Sequence, residues 1–180
     1  MTETSDLAIL AGMPIFAELP EAELEMLVEQ ATREHFDARA DVFTQGAEAD
    51  SFLVLLAGGV DVLTHSTQGV ERLLAHLGSG AVLGETSFLT GGTHSATART
   101  TEPTDVLRFG YARFNRLREA NAIAVYRVIY NMARILASRL RAADVDLAEL
   151  CNDSQSTVAE DDLDRLRRIF FTEWGTASRR

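Results

Sequence analysis

The sequence predicts a mainly-β fold, a sandwich or jelly-roll barrel of short strands with helices before and after it. Three observations carry that expectation. Between residues 32 and 111, short β-like runs alternate with glycines and polar turns, and no helical crossover separates them as a parallel sheet would need. Helical spacings of three and four are confined to residues 5–31 and to the stretch after Tyr111. With 180 residues, 46% of them hydrophobic, the chain suits one packed core with extensions.

The elements follow in order. Residues 1–31 place Leu7, Leu10, Leu24, Leu27 and Val28 at helical spacing around Pro14 and Pro20, which predicts two short helices about a tight turn. Pro20 suits a first helical turn, and Glu21, Glu23 and Glu25 suit its positive dipole end. Residues 32–111 supply the strands "DVFTQG", "SFLVLLAGG", "VDVLTH", "ERLLAHLG", "SATARTTE" and "TDVLRFG". Gly58-Gly59 and "STQG" are expected to be hairpin turns, because glycine reaches positive φ without steric cost.

Residues 112–150 return to helix: a short one over "ARFNRLREAN", then a long one from about Ala122. Along it Ile129, Met132, Leu136, Leu140, Ala143, Leu147 and Leu150 trace a narrow seam of coiled-coil type. Such a helix runs ~40 Å at 1.5 Å per residue, farther than a small barrel covers, so a second copy is expected on residues 122–150. Residues 151–180 read as a polar linker, "NDSQST", and an amphipathic helix over about 158–174 with Leu163, Leu166, Ile169, Phe170 and Trp174 on one face.

Composition narrows the function. The net charge of −10 argues against a nucleic acid as the main partner; that all 17 basic residues are arginine reads as a record of codon composition. The single cysteine, Cys151, excludes an internal disulfide and thiolate metal clusters. His35, His65, His76 and His94 lack the His-x-His spacing of a jelly-roll metalloenzyme, so neither a metal nor an enzyme activity is expected. No apolar run nears the ~20 residues of a membrane span, and the acidic start lacks a cationic signal region. A cytoplasmic location is the expectation.

The stretch "GETSFL" carries the ligand chemistry. Gly84 lets backbone approach a ligand closely, and the turn it opens, with Thr86 and Ser87, offers N–H groups to an anion. Glu85 beside it is an acceptor for a hydroxyl, and Ser95 a hydroxyl donor. The order of elements, with "FTQGAEADSFLVLLAGGVDVL" at 43–63 and "GSGAVLGETSFLTGGTHSATA" at 78–98, resembles the cyclic nucleotide-binding domain of CRP/FNR-type regulators. The resemblance implies a cyclic nucleotide, cAMP or cGMP, as ligand, with Glu85 on the ribose 2′-OH and Ser95 near phosphate and base. It also implies an arginine on the cyclic phosphate at the position where this chain has His94. An imidazole near its ordinary pKa of ~6.5 offers one donor in place of a charged fork, which should weaken phosphate binding about ten- to a hundredfold. If His94 must be protonated to hold phosphate, affinity rises as pH falls from ~7.5 toward ~6. Arg99 should face away from His94 by strand alternation, so Arg139 on the long helix is the candidate substitute cation.

The expected function is a stand-alone regulatory module that senses a cyclic nucleotide or related small anion and transmits through the dimerisation helix to a downstream protein. The alternative is a degenerate domain, its pocket filled by its own side chains, acting as a dimeric scaffold. Direct DNA binding is not expected: the 30 residues after Leu150 are too few for the winged helix-turn-helix of those regulators. A haem-bearing sensor finds no support in the histidine spacing.

Overall fold

The computed structural model describes residues 4–65 and 70–152. Side chains of residues 4, 5, 139 and 142–152 lie outside the description, as do the "STQG" turn and the amphipathic helix expected at 158–174. Helix α1 (Thr4–Ala11), a 3-10 turn at Pro14–Phe16 and helix α2 (Glu21–Glu29) lead in. Eight strands follow: β1 (Thr32–Phe36), β2 (Asp41–Phe43), β3 (Ser51–Ala57), β4 (Gly59–His65), β5 (Glu71–Gly78), β6 (Val82–Leu83), β7 (Thr97–Thr100) and β8 (Thr104–Gly110). Helix α3 (Glu85–Thr90) lies between β6 and β7, and α4 (Tyr111–Glu119) and α5 (Ile123–Asn152) follow β8.

The strands form two antiparallel four-stranded sheets, ordered β1-β8-β3-β6 and β2-β7-β4-β5. Strand β3 explains how they pack. Its continuous apolar run is buried on both faces, as a strand with partners on each side must be. Period-two alternation sends Leu53 and Leu55 into the roll with Val60, Val62, Leu77 and Val106. It sends Phe52, Val54 and Leu56 outward against the helices.

One expectation is corrected here. Gly58-Gly59 is not a hairpin turn: β3 belongs to the first sheet and β4 to the second, so the glycines form a corner at which the chain changes sheet. Gly58 takes φ 91° to turn it. The expected strand order also omitted β1 and β6. The first is polar and mostly exposed, and the second has only two residues, so neither carries an apolar alternation long enough to register.

Helix α5 docks on the lead-in. Ala124, Val125, Val128 and Met132 are buried in the same cluster as Ile15 and Phe16, and Asn131 Nδ2 donates to the carbonyls of Ile15 (3.2 Å) and Ala17 (2.9 Å). This revises the expected seam. Met132 is fully buried in the chain's own core, whereas Leu140 is 57% exposed. The outward face instead carries Ile123, Tyr126, Tyr130, Ala133, Ala137 and Leu140, all exposed, at steps of 3, 4, 3, 4 and 3.

Candidate functional site

The site forms where the chain leaves β6. Gly84 sits at the N-cap of α3 with φ 76°, a left-handed conformation that side chains resist. A Cβ there would lie 3.2 Å from His94 Cε1 and 3.2 Å from the Ser51 carbonyl, so tight contacts add to the torsional preference for glycine. The first turn of α3 closes when Phe88 N–H donates to the Gly84 carbonyl at 2.9 Å. The amides of Thr86 and Ser87 precede that bond, where helix geometry supplies no carbonyl. Among the described residues no turn or loop carbonyl accepts from them either.

The loop after α3 is pinned from behind. His94 N–H donates to Ala47 and Gly46 N–H donates to the His94 carbonyl, both at 2.8 Å, while Ala49 N–H donates to Gly92 at 2.9 Å. Ser87 Oγ donates to the Thr93 carbonyl at 3.1 Å, so this hydroxyl braces the loop with its proton, and the donor Ser87 offers a ligand is its backbone amide. Thr86 Oγ1 donates to Glu85 Oε1 at 3.2 Å. Glu85 is buried, 8% exposed, and Ser95 is exposed outside β7.

Gly84, Glu85, Thr86, Ser87, His94 and Ser95 line one cavity, whose remaining wall is apolar: Phe43, Val62, Leu77, Val82, Leu83 and Ala96. Six of the seven sequence-derived candidates therefore meet. Arg139 lies on α5, and its side chain is outside the described residues. Arg99 faces away: its guanidinium holds Asp41 at 2.7 Å and Glu71 at 3.0 Å. The cavity is small, about 50 Å³, room for a water or two and well short of the roughly 300 Å³ at which small-molecule pockets begin.

Phe43 is what the sequence reading missed. Its ring stacks on His94, centroids 3.8 Å apart and planes within 9°. Its place in β2, paired with β7, brings it over a residue 51 positions away, which only the register reveals. Behind the pair runs a charged chain. Arg108 donates to both carboxylate oxygens of Glu34 (2.7 and 2.9 Å) and to Ser51 Oγ (2.7 Å), which in turn donates to Asp50 at 2.9 Å.

Burial holds the His94 pKa below its ordinary value; the Asp50 carboxylate opposes this and the Arg108 guanidinium adds to it. The imidazole is therefore neutral at neutral pH. Because the folded pKa is the lower one, the unfolded chain binds more protons as pH falls below about 6.5. The stability His94 contributes is full above that value and is lost as pH falls through the folded pKa. The melting temperature should thus decline between pH ~7 and ~5, and His94→Gln should flatten that decline. The Asp105 carboxyl, held low mainly by its hydrogen bond to His35, loses its contribution only below its ordinary 3.8, outside this window.

Residues 33–121 match the family described as "Cyclic nucleotide-binding domain". The chain carries a cyclic nucleotide-binding domain of CRP/FNR type. This domain is 31% identical over 141 residues to the cyclic AMP receptor protein of Thermus thermophilus, covering 77% of this chain and 62% of that one. It is 34% identical over 151 residues to glutaminase 2 of Bradyrhizobium diazoefficiens, covering 81% of this chain but 23% of the relative. A crystal structure of a cyclic nucleotide-binding domain from Methylobacillus flagellatus shares the fold, with TM-score 0.70 at 20% identity and coverage of 86% and 85%. The chain thus spans less than two thirds of those curated relatives. No helix among the described residues is long and apolar enough to cross a membrane, and no group of three or more metal-ligating side chains is found among them.

Proposed function

We propose that this chain is a regulatory sensor module that admits a nucleotide-type ligand between the cassette and the roll and passes its arrival to α5. The observation that carries the reading is the setting of Glu85. The residue is buried and lines the cavity wall, directly beside a turn whose first amides have no turn or loop carbonyl partner among the described residues, so a strong acceptor and two donors lie about one small volume. The cassette, Gly84 to Ser87 with His94 and Ser95, supplies hydroxyl and amide recognition. The apolar wall suits a base.

Transmission has a physical carrier. Phe88 on α3 contacts Phe52 (4.9 Å), Tyr111 (5.6 Å) and Phe114 (5.3 Å), so movement of the cassette is felt at once by α4, next to the start of α5. The small cavity means that ligand entry must part the walls, and binding then favours a second arrangement of α4 and α5. The exposed seam from Ile123 to Leu140 is the surface on which a second copy would pair. A downstream protein would read the rearranged helices.

Stabilisation of the chain by cAMP, cGMP or a nucleoside at about 1 mM, measured by thermal unfolding, is the expected result. Glu85→Gln should weaken that binding about tenfold or more through the lost charge-assisted hydrogen bond. The second reading, a scaffold that binds no ligand, is favoured by the roughly 50 Å³ cavity and the His94–Phe43 stack in its wall. No stabilisation by any of these ligands, with the seam still supporting a dimer, would establish it instead.

A further inference from the structure

We propose that residues 158–174 fold back on α5 as an antiparallel helix and cover the outer end of its exposed seam, around Ala137 and Leu140, so that a second copy must displace them to pair along the whole seam. Tyr130 is 63% and Leu140 57% exposed, and Ala133 and Ala137 between them are exposed as well. The four recur at steps of 3, 4 and 3 on one side of α5, the spacing that accepts another helix. None of them is packed against the chain's buried clusters. A contiguous apolar stripe left in this way marks an interaction surface.

The chain that follows supplies the occupant. Helix α5 ends at Asn152, and residues 153–157 are polar and of the length that joins two antiparallel helices. A helix over residues 158–174 then runs back along α5, with Phe170 level with Leu140 and Leu163 level with position 147. Leu163 and Phe170 are seven positions apart, as Leu140 and Leu147 are, so both pairs fit one register. Trp174 comes beside Ala137, where a small residue leaves room for an indole. Glu173 falls between Arg134 and Arg141, both exposed on the flank of the seam, so the charges there are complementary.

A second copy fits the outer end less well. Parallel pairing of two α5 helices sets each position against itself, and position 144, seven beyond Ala137 on the same stripe, is an aspartate. Two like charges would then meet within the seam, which costs stability. In the antiparallel hairpin position 144 comes level with Leu166, whose sequence neighbours are Arg165 and Arg167. Tyr126 and Ile123, at the inner end, stay beyond the reach of residues 158–174.

Trp174 is the single tryptophan of the chain, so its fluorescence reports the contact directly. In the full chain its emission should lie to the blue of the same chain unfolded in denaturant, and should stay there on dilution. Leu140→Glu, a change at an exposed position, should move the emission to the unfolded value while the roll still melts cooperatively. Phe170→Glu should do the same from the other side of the contact. Sedimentation of the wild-type chain should show a monomer. Wild-type emission equal to that of the unfolded chain, or emission that Leu140→Glu leaves unmoved, overturns the inference. A wild-type dimer that Leu140→Glu dissociates gives the seam to a second copy and overturns it too.

Discussion

Phe52→Ala should destabilise the chain by about 3–5 kcal/mol, measured as a fall in the midpoint of chemical unfolding, the range typical of a buried phenylalanine truncated to alanine. Phe52 is fully buried. Its ring lies parallel to Phe109 at 4.8 Å and meets Phe88 and Phe114 edge-on at 4.9 and 5.8 Å. These four rings join the first sheet to α3 and α4, so the cavity left by the truncation would sit at the junction between cassette and α4. A loss under about 1.5 kcal/mol would show that the cluster collapses around the gap, and that it is too soft to transmit cassette motion.

Gly58→Ala should be comparably damaging, about 3 kcal/mol or more, for a different reason. The position has φ 91°, and a Cβ there would lie 2.6 Å from the Pro103 carbonyl oxygen and 2.7 Å from the Thr104 Cα, both backbone atoms. Torsional strain of about 1–3 kcal/mol therefore adds to an overlap that only backbone movement relieves. Gly80→Ala is the control. Its φ is 85°, but nothing lies within 4 Å of the added Cβ, so it carries the torsional cost alone. Equal effects in the two variants would contradict the account of the corner as a close backbone crossing.

Much of the fold was legible because the strands of a jelly roll advertise themselves locally. The run of β3, the proline at the start of α2 and the break between α4 and α5 are each written in a few adjacent residues. Pairing is not. Gly58-Gly59 carries the same turn chemistry whether the next strand folds back on β3 or crosses to the other sheet, and the difference lies in partners forty to fifty residues away. Part of the helix seam was misread in a related way, while its residues Ala143, Leu147 and Leu150 have side chains outside the described residues. Periodicity identified an apolar stripe on α5 but not its owner, and the 3-10 turn at Pro14–Phe16 claimed Met132 for the chain's own core.

The site divided along the same line. Gly84 and Glu85 could be found from the loop alone, since a glycine before a short helix and a carboxylate beside it are local features. That Ser87 braces the loop through Thr93, and that Phe43 covers His94, depend on chain returning from elsewhere. The substitution at residue 94 was visible in the sequence; its consequence, a neutral ring locked against a phenylalanine, required the structure.

The most direct test of the central claim follows the backbone amides by nuclear magnetic resonance while adenosine, guanosine, cAMP and cGMP are added in turn. The ligand that binds is expected to shift the Thr86 and Ser87 amide signals, with Phe114 and residues 123–132 moving along the same binding curve. Saturation by ligand with the Thr86 and Ser87 signals unmoved would contradict that claim.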